Sequence, residues 1–221
     1  MNVGLAIFWK DVLIEWRSRD RVAAMLLFSL LVVMIFQFAL PDGTSARTQV
    51  YAPGLLWVAY VLAALFGLGR AFTLELENDA LSGLALAPVE RGWVFLGKAL
   101  ANLAILAPAQ AATAFAFGLV FALDLTAVAA PLAGIVLLGS LGLCSVGTLF
   151  SAVAVRTRFR EVMLPLLLLP LLVPIVSGSV RATTALIDTG SVPIEPLQLL
   201  FVTDVAYLIV SFLTFDYVLD E

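Results

Sequence analysis

Five stretches of this chain carry no charged side chain at all, at residues 22–41, 48–69, 99–123, 125–155 and 162–180. A sixth, 196–215, is interrupted only by Asp204. A helix rises about 1.5 Å per residue and the hydrocarbon core of a bilayer is about 30 Å thick, so roughly 20 apolar residues are needed to cross it. Each stretch is long enough or nearly so. None has the ten-residue alternation of a membrane barrel strand. The chain therefore reads as an all-α polytopic membrane protein with six transmembrane helices, one domain over residues 1–221. Composition agrees, with 62% hydrophobic residues, 13% charged and a mean hydropathy of +1.09. A soluble domain has about 25% charged residues and nowhere to bury so much apolar surface.

The basic residues set the expected orientation, because cytoplasmic loops are enriched in Lys and Arg. Lys10, Arg17, Arg19 and Arg21 precede the first span, Arg70, Arg91 and Lys98 flank the connection between spans two and three, and Arg156, Arg158 and Arg160 separate spans four and five. Only Arg47 and Arg181 fall on the other side. The reading is N-in, C-in. Arg156, Arg158 and Arg160 are expected to fix topology and meet anionic lipid. Residues 181–195 are expected to form a water-exposed outer loop, given their Ser, Thr, Gly and Pro content. A net charge of −4 without a basic patch excludes nucleic-acid binding.

Two segments outside the spans have helical patterning. Within residues 1–21, Leu5, Phe8, Trp9, Val12, Leu13 and Trp16 follow i, i+3, i+4 spacing, with Lys10, Glu15 and Arg17 off the stripe. That pattern predicts an amphipathic helix in the inner interface, with Ile7 and Ile14 offering a second face to another span. Charges at Lys10 and Asp11 interrupt any apolar core of a cleaved signal. The second segment, 73–92, gathers Glu75, Glu77 and Asp79 behind the helix-capping Thr73, places Leu76, Ala80, Leu81 and Leu84 on one face, and stops at Pro88. It reads as a short cytoplasmic helix with an acidic start, whose leucine stripe must bury against something.

Catalytic chemistry is poorly supplied. There is no histidine, so HExxH metal sites and imidazole relays are ruled out, and the single cysteine, Cys144, lies in an apolar run. Gly92–Ala99 matches the first seven positions of GxxxxGK[ST]. Ala99 lacks the magnesium-binding hydroxyl, Trp93, Phe95 and Leu96 are too bulky for a phosphate loop, and the run leads into a span. Asp204 reads as a boundary residue near the outer start of span six, where reaching water is cheap. Pro165, Pro170 and Pro174 in span five, and the Gly/Ser-rich span four, read first as bundle packing. Six helices in 221 residues cannot enclose a large hydrophilic path, so a homodimer is expected.

The run Tyr51-Ala52-Pro53-Gly54-Leu55-Leu56-Trp57, then Arg70, Phe72, Glu75, Glu77, Asp79, Leu81, Leu84, Pro88 and Leu96-Gly97-Lys98, resembles the heme exporter protein B (CcmB) family. Pro165, Pro170 and Pro174 resemble that family's fifth span. The usual Asp-Gly and Leu-Glu stand here as Asp79-Ala80 and Leu81-Ser82. The resemblance implies a type-2 ABC exporter permease fold in the bacterial inner membrane. It implies partners: an ABC ATPase subunit (CcmA-like) holding ATP-Mg, a heme-handling membrane protein (CcmC-like), a small anchor (CcmD-like) and a heme chaperone (CcmE-like). Residues 73–92 would be the coupling segment, with Glu75, Glu77, Asp79, Leu81, Leu84 and Pro88 meeting the ATPase. With only Met and Cys144 as axial ligands, the chain is expected to bind no cofactor, leaving heme to the rest of the complex. Rival readings are a permease for another lipophilic substrate, a non-transporting assembly scaffold and, more remotely, an intramembrane enzyme.

Overall fold

The computed structural model describes residues 3–40, 46–72, 90–155, 157 and 160–220. Those residues form seven helices: α1 Val3–Ser18, α2 Asp20–Ala39, α3 Ala46–Gly69, α4 Arg91–Val120, α5 Ala129–Val155, α6 Arg160–Thr189 and α7 Ile194–Asp220. The last six are each long and apolar enough to cross a membrane, matching the expected number of spans. Several boundaries differ from the charge-free stretches. Helix α4 begins at Arg91, eight residues before the expected third span, so Gly92–Ala99 is helix and its backbone from Val94 onward is committed to the helix. Helix α6 continues to Thr189, so residues 181–189 are helical and not part of an outer loop. Arg181 did not end the helix because it sits exposed on the surface of α6. A single surface charge is a poor stop signal. The helix also runs through Pro165, Pro170 and Pro174.

Three turns are built by identifiable groups. Arg19, at φ 57°, turns α1 into α2. Glu15 secures that corner: its Oε1 accepts the amides of Arg21 and Val22 at 3.1 Å each, two of the otherwise unpartnered donors of the first turn of α2. Helix α4 ends with Ala122 at φ 52° and the Leu123 amide on the Gly118 carbonyl at 2.9 Å, a Schellman closure. In the following connection the Thr126 hydroxyl and amide hold the Asp124 carboxyl below its ordinary range. Gly190, at φ 70°, ends α6.

Helices α3 and α5 are the most enclosed of the six, α7 and α2 among the least. The glycines of α5 explain its central place. A methyl at Gly139 would lie 2.6 Å from the Trp57 ring of α3 and 2.5 Å from Ser179 Oγ of α6. Gly142 leaves room for the Asp204 carboxyl of α7, and Gly147 for Leu68 of α3. Small residues on α5 thus admit large ones from three neighbours, as close packing of membrane helices requires. At one end of the bundle Ile7, Phe72, Phe95 and Phe215 share a cluster, which brings α1 and the end of α7 together. At the far end Trp57, Phe117, Leu132 and Leu186 form another.

Candidate coupling site and polar seam

Lys98 is 2% exposed, about two turns into α4, where three parts of the chain converge. Its Nζ is 3.0 Å from Asp11 Oδ2 on α1, donates to the Ala71 carbonyl at 3.2 Å, and stands 4.5 Å from the Phe72 ring centroid. Ala71 and Phe72 are the last described residues before the acidic segment. A buried ammonium must be paired, and this one is paired in a way that ties α1, α4 and the end of α3 together. Backbone contact reinforces the joint. Gly97 of α4 packs directly on Gly4 of α1, and a methyl at Gly4 would lie 2.8 Å from the Trp93 carbonyl.

The same contact explains the two faces of α1. Gly4 and Ile7 are buried, whereas Leu5, Trp9, Leu13 and Trp16 stay exposed. The sequence-predicted stripe is therefore the outer face, and Ile7 is the residue that packs on a span. Its basic residues share that end with Arg70, Arg91 and Lys98.

A polar seam runs through the interior. Arg21 donates to Asn102 Oδ1 at 2.7 Å, and Asn102 Nδ2 donates to Thr148 Oγ1 at 2.8 Å, linking α2, α4 and α5. Two turns on, Gln110 and Ser140 exchange hydrogen bonds at 2.7 and 3.0 Å, and Tyr60 donates to the Gln110 carbonyl at 3.2 Å. Thr113 pairs with Ser29 at 2.7 Å. Ser151 donates to the Leu68 carbonyl at 2.5 Å. Buried polar groups need such partners, and these fix the register of four helices.

Asp204 breaks that rule. It is 1% exposed, and neither carboxylate oxygen has a hydrogen-bond donor among the described residues. It lies ten residues into α7, about 15 Å along a helix rising about 1.5 Å per residue, and so near the middle of a membrane core. The expectation of a boundary residue reaching outer water is corrected: the side chain points into the bundle against Gly142.

The acidic residues expected to meet an ATPase, Glu75, Glu77 and Asp79, with Leu81, Leu84 and Pro88, lie outside the described residues, as do Arg156, Arg158 and the side chain of Arg160. Arg91 and Gly92, expected in the same segment, form the first turn of α4, with Arg91 donating to the Asp216 carbonyl at 2.9 Å. A family profile described as "CcmB protein" matches residues 2–219. The chain belongs to the CcmB family. It is 34% identical over 170 residues to heme exporter protein B of Paracoccus denitrificans, spanning 76% of this chain and 77% of that one. With heme exporter protein B of Bradyrhizobium diazoefficiens the identity is 30% over 188 residues, 85% and 83% of the two chains. With that of Pseudomonas aeruginosa it is 28% over 185 residues, 82% of each.

The other residues that carried the CcmB resemblance are dispersed over this multi-pass bundle and do not form one pocket. Ala52, Pro53 and Trp57 are buried and Gly54 half-buried on α3, where Trp57 Nε1 donates to Thr183 Oγ1 at 3.0 Å. Gly97 and Lys98 form the joint at the other end. Pro165 and Pro174 are half-buried along α6 and Pro170 is exposed. Asp11, Asn102, Gln110, Thr113 and Thr148 were missed from the sequence as interior polar residues.

Proposed function

We propose that this CcmB chain is the membrane permease subunit of an ABC-type heme export complex serving c-type cytochrome maturation. The observation that carries the reading is the family match over residues 2–219, together with relatives named heme exporter protein B. The chain sits N-in, C-in in the bacterial inner membrane in a type-2 ABC exporter arrangement, an orientation supported by the basic residues gathered at the α1 end. Helix α1 lies in the inner interface with Leu5, Trp9, Leu13 and Trp16 toward lipid. Residues 73–89 are the handle for a separate, CcmA-like ATPase. Leu81 and Leu84 serve as apolar anchors, and Glu75, Glu77 and Asp79 set register against basic groups.

The Lys98 joint gives the handle a path into the membrane. The chain leaves the joint at Phe72 and re-enters the bundle at Glu90. A displacement of the segment between them pulls on α3 and α4 together, and through Asp11 on α1. ATP is hydrolysed by the partner, heme is ligated by CcmC-like and CcmE-like partners because this chain has no histidine, and two copies of the permease work as a pair beside a CcmD-like anchor. The role of this chain is mechanical.

Deleting the chain tests the reading. The expected result is loss of proteins that stain for covalently attached heme, with non-covalent heme proteins intact. Unchanged covalent staining overturns it. Cytochrome formation persisting with an ATPase-dead partner turns the reading into that of a scaffold.

A further inference from the structure

Asp204 is a chemical oddity whatever the complex transports. Both of its oxygens are buried without a donor, and Ser179 Oγ and Ser211 Oγ are likewise without a partner among the described residues. Ser211 is two turns along α7 from Asp204, and Ser179 faces Gly139, one turn from Gly142 on α5. Two unsatisfied polar side chains, Asp204 of α7 and Ser179 of α6, therefore face α5, and Ser211 lies on the same face of α7 as Asp204. We propose that Asp204 is a proton-binding site, holding its carboxyl as the neutral acid while α7 is seated on α5.

The surroundings argue for a proton over any other ligand. Gly142 stands against the carboxyl and Ile175 lies beside the same point, and both offer hydrocarbon. The helices packed on α7 are α4, α5 and α6. Residues 99–123, 125–155 and 162–180 of those helices carry no charged side chain. Their described ionisable group at mid-depth is Cys144, which belongs to the central apolar cluster. Lys98, at the start of α4, is occupied with Asp11 at 3.0 Å. On α7 itself, Tyr207 gives its hydroxyl to the Leu171 carbonyl at 2.7 Å. Among the described residues no group of three or more His, Cys, Asp or Glu gathers to hold a metal ion. An ionised carboxylate in such a place would be an uncompensated buried charge, whereas a neutral acid is tolerated.

Seating and protonation are then linked. Helix α7 is the least enclosed span. When it leaves α5, the carboxyl gains access to polar surroundings and gives its proton to water. When it returns, a proton is taken up. No other bond changes. This inference stands apart from the heme reading, so either can fail without the other.

The test is infrared absorption of the purified full chain in lipid nanodiscs at neutral pH, with aspartate carboxyls labelled with carbon-13. The expected result is a carboxylic-acid carbonyl absorption that shifts on labelling, exchanges slowly in D2O and disappears in Asp204→Asn. If every labelled carboxyl absorbs as carboxylate, or the acid absorption survives in Asp204→Asn, the proposal is overturned. Should that variant fail to assemble, Asp204→Glu keeps an acid there but takes it out of the aspartate label, so the labelled acid absorption must disappear in it as well. An absorption that exchanges at once marks a surface acid and also overturns it.

Discussion

Replacing Asp11 by alanine costs the bundle about 3 kcal/mol, the lower end of the roughly 3–5 kcal/mol measured when one partner of a buried ion pair is removed. The lower end applies because Asp11 is 15% exposed and Lys98 keeps the Ala71 carbonyl at 3.2 Å and the Phe72 ring. Asp11→Asn retains an acceptor and should cost clearly less. Removing both charges with Lys98→Met and Asp11→Leu should recover most of the loss, since replacing a buried pair by apolar side chains is often neutral. Denaturant titration of the parent and these three variants in detergent measures the losses. A double variant as damaged as Asp11→Ala would mean that Lys98 works through its other contacts and that α1 is not tied to α4 by charge.

Gly97→Leu should lift α1 from α4. The Cβ of any residue at position 97 would meet the Gly4 carbonyl and its Cα, which are backbone and cannot swing aside. Overpacking costs about 1–3 kcal/mol where side chains can adjust, so this substitution belongs at the upper end or separates the helices. Gly134→Leu is the control, because nothing lies within 4 Å of a Cβ there. Ile7→Cys, buried in the parent at 9% exposure, reads the outcome by labelling with a water-soluble maleimide. Labelling should be slow in the parent and fast with Gly97→Leu. Equal rates would contradict the close α1–α4 crossing.

The spans were legible because hydrocarbon imposes one constraint that no local propensity can override: about 20 residues without an unpaired charge. The same rule misplaced boundaries wherever a charge found a partner or a surface. Lys98 hid the first turns of α4 because its ammonium is paired with Asp11, and Arg181 hid the last turns of α6 because it is exposed. Both are contacts in three dimensions, invisible to a scan for charges. Asp204 was read by its nearness to the outer start of span six, but its environment is set by Gly142 across the helix interface.

The polar seam had a signal that went unread. Asn102 and Gln110 are eight residues apart on α4, as are Ser140 and Thr148 on α5. Antiparallel helices with matched spacing bring both pairs together, and both hydrogen bonds form. Taken singly, each residue reads as ordinary packing. On α1, Leu5, Trp9, Leu13 and Trp16 of the expected stripe are exposed and Ile7 is buried, but Ile14, expected on the packed face with Ile7, is exposed. The acidic segment lies beyond what the structure describes, and its role rests on charge, leucine spacing and the joint at its root.

That role is the centre of the account, and Glu77→Lys with Asp79→Lys tests it most directly. The measurement is the amount of ATPase subunit recovered with the membrane fraction, alongside covalent heme staining, at matched levels of the permease. The account predicts that the ATPase leaves the membrane or stays bound without supporting cytochrome c assembly. Full ATPase recovery together with normal covalent heme attachment would contradict it.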